Sequence, residues 1–550
     1  MINLPQIIRR GLKGAAASLS REGTILLLLL AAGAFLRLYS LGGKSLWVDE
    51  AFSLAMSQRD RVDFFERLVG GDTHPPLYYL ALKYWTLLGD GEAHLRLLSA
   101  LFSIVAIPLM YALVSDLFRD KSLGLVGAAI LAFSPFQIWY AQEARMYTML
   151  TFLALLSAYF FFRALRTDDR RDWLAYALAA ALALYTDNGA IWFLLAISIF
   201  YLLSLKRFPA PLKRWLLGNL LVGLVYLPWL PFFLRQARRV TESFWLPAPT
   251  FETVLGTLLD FHSFNFPLTN LSLAYMALIF ACVTLLPAGG WTRRLGVIWL
   301  FVPLLASLLL SLRQPIFLSR NLILASLGYY LLTAEAASRL ASYTQKRSIS
   351  LSGAVEAPFD RVSLRSGSSR SAVEEASAVS GGPTEPIRPL RGKTALLILL
   401  LPLVTSNLVS IAHNLWREPK EDWRSVASYV ALSARDRPGG IVVFLPRYTE
   451  LPFAYYFKGY DLFIDTQGYP GDEILLHPQP VEVHDIAQVL DGRPYVWLVV
   501  RDIENADPDW AVKSWLEAHG YQPEPPLRLG SLSVHTYVRS DLAPWSRAIN

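Results

Sequence analysis

The feature that most constrains this chain is a succession of apolar runs, each close to the length that spans a bilayer as a helix. Crossing the hydrocarbon takes about 20 helical residues, and runs of that order recur at 24–41, 95–117, 122–140, 146–165, 172–186, 189–205, 214–234, 268–287, 295–312, 317–337 and 394–414. Backbone groups in lipid must be satisfied internally, so runs of this kind are read as helices. The expected fold is a polytopic α-helical membrane protein with about 11 transmembrane helices. Composition agrees: the 550 residues are 54% hydrophobic and 17% charged, with a mean hydropathy of +0.36, which excludes an ordinary soluble protein. The net charge of +7 lies mostly in short connections between apolar runs, which argues against nucleic-acid binding. The single cysteine, Cys282, sits in an apolar run and excludes an internal disulfide.

Basic residues in the connections set the orientation, because Lys and Arg favour the cytoplasmic side. A leader over 1–22 carries Arg9, Arg10, Lys13 and Arg21 and reads as the cytoplasmic flank of a signal anchor. Arg119 with Lys121, Arg163 to Arg171, Lys206 with Lys213 and Arg214, and Arg293 with Arg294 fall on that same side; Arg235, Arg238 and Arg239 fall on the other. An odd number of crossings puts the amino terminus in the cytoplasm and the carboxyl-terminal region outside. The expected layout is a transmembrane domain over 23–339 with an outer loop at 42–92, and a disordered cytoplasmic linker over 340–392, rich in Ser and Gly. A last transmembrane helix at 393–415 and a small extracytoplasmic α/β domain at 416–550 complete it. In that domain 422–433 reads as a helix, and 441–445, 461–464, 495–500 and 532–538 read as strands, with further helices near 486–490 and 508–519. With no glycine-rich phosphate loop and no metal-ligand cluster, it reads as a binding or stabilising module without a catalytic role.

The outer loop carries the chemistry-bearing residues. In Leu46–Ser53, two adjacent carboxylates follow the first apolar run, and helical phase places Asp49 on a polar stripe with Ser45, Ser53 and Ser57. Glu50 shares the neighbouring stripe with Leu46 and Leu54. In Asp72–Tyr79, Asp72 or Thr73 is suited to cap a helix whose first turn holds Pro75 and Pro76, so His74 is expected at a positive helix end. Arg96 begins the second run, Glu143, Arg145 and Tyr147 stand at the mouth of the fourth, Asp187 closes the fifth, and Arg320 lies just inside the tenth. Charges at membrane depth mark sites or pairs, and Asp49–Arg96 and Glu143–Arg145 ion pairs are the structural alternatives. Carboxylates, a histidine and three arginines on one face suit a phosphate anchored in lipid, since arginine binds phosphate through paired hydrogen bonds and a carboxylate can take a proton from an incoming hydroxyl.

The ordered set Trp47–Ser53, Thr73–Tyr79, Arg96–Ala100, Gln142–Tyr147, Tyr226–Trp229, Phe244–Pro247, Pro315–Phe317 with Arg320, and Glu421–Arg424 resembles the bacterial polyprenyl-phosphate-sugar glycosyltransferases. That family is related to the protein O-mannosyltransferases and the lipid A aminoarabinose transferases and shares the C-type glycosyltransferase fold. The resemblance implies an inverting hexosyl- or pentosyltransferase of the cytoplasmic membrane. A sugar would pass from a polyprenyl-phosphate donor to a glycan, lipid or protein acceptor on the outer face. It implies Asp49 as general base or acceptor-orienting group with Glu50 second, His74, Arg96, Arg145 and Arg320 on the departing phosphate, and Glu143, Tyr147 and Asp187 in support. Some enzymes of this fold use a divalent metal, for which Asp49, Glu50 and His74 are the available ligands. The sequence departs from relatives at Asp187, where a histidine is common, and at Asn321, where a tyrosine is commoner. A lipid-linked-sugar transporter or flippase, or a non-catalytic envelope-assembly protein, is the competing reading; transporters tend to place their sites at the bilayer midplane, whereas the ionisable residues here gather at one face.

Overall fold

The structure is a computed structural model that describes residues 20–70, 72–208, 211–242, 248–264, 269–286, 290–355, 407–413, 421–469, 483–490, 492–501 and 510–539, together with Thr405 and Asp541. The leader up to residue 19, the linker from 356 onward, most of the expected last membrane helix and the Phe244–Pro247 motif lie outside the described residues.

The described chain begins with α1 (Arg21–Leu38), followed by the short helices α2 (Val48–Gln58), α3 (Arg61–Gly70) and α4 (Leu77–Trp85). A bundle follows: α5 (Glu92–Phe118), α6 (Lys121–Phe133), α7 (Pro135–Ala141), α8 (Tyr147–Thr167), α9 (Arg170–Thr186) and α10 (Ala190–Leu202). It continues with α11 (Leu212–Tyr226), α12 (Leu230–Glu242), α13 (Phe251–Ser263), α14 (Thr269–Leu285), α15 (Trp291–Ser311) and α16 (Ile323–Val355). Helix α16 runs on to Val355, so the first residues of the expected linker are helical. By length and apolarity α5, α8 and α15 each suffice to cross a membrane, and the bent pairs α6–α7 and α11–α12 raise the total to five among the described residues. Helices α15 and α16 approach closely because Gly328 lacks a Cβ, which would stand 2.5 Å from the Leu300 amide nitrogen.

The α6–α7 bend of 55° shows how the bundle spends buried polar groups. Ser134 caps α7 by accepting from the Gln137 N–H, and Pro135 starts the new helix. The bend leaves the last carbonyls of α6 without helical partners. Arg37, fully buried on α1, donates to Leu131 O and Ala132 O at 2.9 Å, to Gly33 O at 3.0 Å and to Ser103 Oγ at 2.7 Å. Gln142 then ties the end of α7 back to the Tyr39 carbonyl.

The carboxyl-terminal region contains α17 (Trp423–Ala434), β1 (Ile441–Leu445), α18 (Glu450–Phe457), β2 (Asp465–Gly468), α19 (Val483–Leu490) and β3 (Tyr495–Arg501). Then come α20 (Ala511–Ala518), β4 (Tyr521–Pro523), β5 (Leu527–Leu529) and β6 (Leu532–Arg539). The strands form one sheet in the order β2-β1-β3-β6-β4, parallel across β2, β1 and β3 and antiparallel at β6, with β5 paired to β6. Alternation decides the layers. Val442 and Phe444 join Trp423, Val426 and Phe453 on one face, while Ile441 and Val443 join Val512 and Leu516 on the other. One residue from far outside enters the first of these cores: Val48, the opening residue of α2.

Candidate active site

Helix α2 places the two carboxylates back to back. Glu50 is its third residue and turns back to accept from the Trp47 N–H at 3.3 Å, closing the helix amino end. Its carboxylate also takes two hydrogen bonds of 2.7 Å from Arg96 and one of 2.9 Å from the Ala144 N–H. Arg96 sends its remaining N–H groups to the carbonyls of Leu41, Lys44 and Ser45 at 2.8–2.9 Å. Every donor of this buried guanidinium is committed to holding the loop over α5. The sequence places Arg96 on the phosphate and Glu50 as a second acid; in the structure the two charges are committed to each other, and Arg96 meets Glu50 and not Asp49.

Asp49 points the other way, toward Arg320 at 3.4 Å, and about a quarter of each of these two side chains stays open. The Arg320 guanidinium lies over the Trp47 ring at 5.7 Å. The serines of the predicted polar stripe face the protein: Ser53 is fully buried and donates to the Asp49 carbonyl at 2.8 Å. Ser53 also accepts from Arg145 at 3.1 Å. Burial pushes the Asp49 carboxyl up, but Arg320, Arg145, His74 and Arg501 together hold it below the usual carboxylate range.

Arg145 is set by its backbone. Ser99 of α5 donates to the Arg145 carbonyl at 2.9 Å and its own carbonyl accepts from Thr148 at 2.7 Å, while the Ala144 amide is held by Glu50. The guanidinium reaches Ser53, the Asp49 carbonyl and Tyr79 Oη at 3.1–3.4 Å, and His74 Nε2 at 3.4 Å. Its Nε–H is buried with no hydrogen-bond partner among the described residues. Tyr147, buried and in edge contact with Tyr140 at 4.9 Å, interacts electrostatically with both Arg145 and Arg320. Glu143 is buried beside a small cavity of about 50 Å³ lined also by Lys44, Trp47, Glu50 and Arg96. A roomier cavity of about 640 Å³ lies at the opposite end of α10, between 202–207 and 290–294, away from these groups.

His74 is oriented by a turn and not by a helix end. Helix α4 starts only at Leu77, so Pro75 and Pro76 precede it, and Asp72 accepts from the Thr73 and His74 amides and from His74 Nδ1 at 3.0 Å. Arginine has only donors, so His74 Nε2 accepts from Arg145 and the ring proton sits on Nδ1, directed at Asp72. Asn188 steadies this turn by donating to the Thr73 carbonyl at 2.9 Å. Beside it, Asp187 accepts from the Gly189 amide, and burial pushes its carboxyl up against the pull of His74.

Asp49, His74, Arg145, Tyr147, Asp187 and Arg320 thus converge, whereas Arg96 and Glu50 turn their charges on each other and Glu143 lies beside the small cavity. Tyr79 is not singled out by sequence, although it lies in the stretch that carries His74; Ser53 appears there only as part of the polar stripe and Asp72 only as a helix cap. Asp49 and Glu50 each face a guanidinium, His74 Nδ1 faces Asp72, and among the described residues no three His, Cys, Asp or Glu side chains gather as a metal site. This donor set does not fit a divalent cation.

Residues 73–232 match the dolichyl-phosphate-mannose-protein mannosyltransferase family, a span that includes His74, Arg96, Arg145, Tyr147 and Asp187. No curated protein sequence matches the chain. Among solved structures, apo ArnT from Cupriavidus metallidurans aligns with a TM-score of 0.60 at 15% identity, covering 95% of this chain and 99% of that one. The same protein bound to undecaprenyl phosphate gives 0.55 at 13%, covering 94% and 98%. The apo oligosaccharyltransferase of Archaeoglobus fulgidus gives 0.54 at 12%, covering 92% and 73%. The chain therefore has the C-type glycosyltransferase fold. Residues 73–232 are thus similar to the mannosyltransferase family, and the fold is shared with these solved neighbours.

Proposed function

We propose that this protein is an inverting glycosyltransferase that moves a sugar from a polyprenyl phosphate to an acceptor at the outer face of the cytoplasmic membrane. The observation that carries the reading is the contrast among its arginines. Arg96 has all its donors saturated at 2.7–2.9 Å, whereas Arg145 and Arg320 make contacts of 3.1–3.4 Å beside Asp49, with the Arg145 Nε–H unpartnered among the described residues. Two under-used guanidinium groups flanking a carboxylate fit a phosphate and a reacting hydroxyl. A neighbour of the same fold is recorded with undecaprenyl phosphate, and another with dolichol phosphate and an inhibitory peptide, in keeping with this donor class.

In the proposed reaction the acceptor hydroxyl gives its proton to Asp49 and its oxygen bonds to the anomeric carbon. The bond from that carbon to the phosphate oxygen breaks, and the electron pair leaves with the polyprenyl phosphate. Arg145 and Arg320 stabilise the charge that develops there. In the free protein the same cations hold Asp49 ionised; once a phosphate takes up their charge, Asp49 becomes the stronger base. The carboxyl-terminal region lies against 46–50, so the two share one side of the membrane; that this side is extracytoplasmic, with 11 helices and a cytoplasmic amino terminus, is part of this proposal and is supported by the Lys and Arg bias of the connections.

The test is sugar release from a panel of labelled polyprenyl-phosphate sugars by the purified protein and by Asp49→Asn. Turnover that the substitution leaves unchanged would remove Asp49 from the mechanism.

A further inference from the structure

The carboxyl-terminal domain reads from sequence as a module without a catalytic role, yet it grips the residues on the amino side of Asp49. Glu421, buried at 4% exposure, is the centre of that grip. Its main-chain carbonyl accepts from Ser45 Oγ at 2.5 Å, and its Oε2 accepts from the Val48 N–H at 3.2 Å and from Trp423 Nε1 at 2.6 Å. Its Oε1 pairs with Arg501 at 2.8 Å. A carboxylate at the first turn of α2 is also favoured by the helix dipole. Around it, Tyr456 Oη accepts from the Leu46 N–H at 2.6 Å and donates to Glu92, which pairs with Arg424 at 2.6 Å. Val48 packs into the domain's own core.

Asp49 is therefore fixed between two anchors. The residues before it belong to Glu421, Tyr456 and the domain core, and the residue after it belongs to Arg96. Arg501 stands at the carboxyl end of β3, which runs parallel to β1. In open α/β sheets that edge is where ligands gather, and here it is turned toward α2. The Arg501 guanidinium is held by Tyr448, whose hydroxyl accepts at 3.0 Å and whose ring lies 5.7 Å away. Arg320 pairs with Asp49 directly, and Arg145, His74 and Arg501, each on a separate element, act on it electrostatically.

We infer that the carboxyl-terminal domain completes the reaction centre, with Glu421 fixing the amino end of the Asp49 helix and Arg501, paired to Glu421 at 2.8 Å, brought as a cation to that same helix end, both as positioning residues. This rests on the glycosyl-transfer reading. The experiment uses the purified full chain and compares Arg501→Gln, Arg501→Lys and Glu421→Gln with wild type. Arg501→Gln is expected to move the acid limb of the kcat/KM profile to higher pH and to lower kcat while leaving the donor KM within about threefold. Arg501→Lys restores the limb. Glu421→Gln lowers kcat by about 10²-fold, the scale of a small misplacement of a reacting group, and speeds amide exchange over residues 46–50. A folded Arg501→Gln with the wild-type limb, or a Glu421→Gln with unchanged exchange over 46–50, overturns the inference. If wild type turns over no polyprenyl-phosphate sugar, the transferase reading fails, and the exchange measurement alone then decides whether Glu421 positions the helix.

Discussion

Glu50 and Arg96 meet through two hydrogen bonds of 2.7 Å with at most 5% of either side chain exposed. A buried pair of this kind is costly to break from one side, because the survivor remains charged and desolvated. Arg96→Ala or Glu50→Ala is expected to lower stability by about 3–5 kcal/mol. Thermal unfolding of the detergent-purified protein would show it, with loss of activity following loss of fold. An Arg96→Ala protein that melts like wild type and has lost only turnover would return Arg96 to the phosphate-binding set.

Arg145 and Arg320 should behave in the opposite way. Arg145→Gln removes a cation aimed at the departing phosphate, and losses for one such transition-state donor run to about 10²–10³ in kcat. The melting temperature should change little for Arg320→Gln, whose partner Asp49 retains open surface. Turnover together with inhibition by free polyprenyl phosphate measures both effects. Tighter inhibition in Arg145→Gln would contradict the assignment.

The pH dependence follows from Asp49. Burial raises its carboxyl, the four facing groups lower it further, and it ionises more readily folded than unfolded. Its contribution to stability is present above the unfolded carboxylate value of about 3.9 and is lost as pH falls through the lower folded value. Activity depending on ionised Asp49 should persist into that same acid range. Replacing Arg320 by Gln should shift the acid limb of kcat/KM to higher pH, and a limb that stays in place would show that Arg320 does not face Asp49 in solution.

The legible and illegible parts of this protein separate along physical lines. Strands β1, β3 and β6 were readable because five to eight apolar or alternating residues lie between turn signals. Strands β4 and β5 have three residues each and no period to detect. Strand β2 was expected at 461–464 and forms at 465–468, where polar Asp465–Gly468 become a strand only by pairing with β1. Helical phase separated Asp49 from Glu50 correctly, since the two take different arginines. It could not say which arginine was saturated, because that depends on the carbonyls of Leu41, Lys44 and Ser45 brought to Arg96 by the loop. The Glu421–Arg501 link to Val48 spans separate domains, and no local pattern reports it.

Asp72 and His74 provide the sharpest test of how the site handles protons. His74 lies between Arg145 and Asp72, its Nε2 3.4 Å from the first and its Nδ1 3.0 Å from the second. Burial pushes the Asp72 carboxyl up, but the hydrogen bonds from His74 and Tyr79 keep it below the usual range, leaving a negative charge ready to balance an imidazolium. Asp72→Asn keeps an acceptor for the two amides and removes that charge. Both Asp72→Asn and His74→Gln should lower turnover by about 10²-fold, and the double variant should fall no further than the worse single one, since the two act as one unit. Kinetics of the three proteins measures the coupling, and independent, multiplying losses would show that Asp72 does not work through His74.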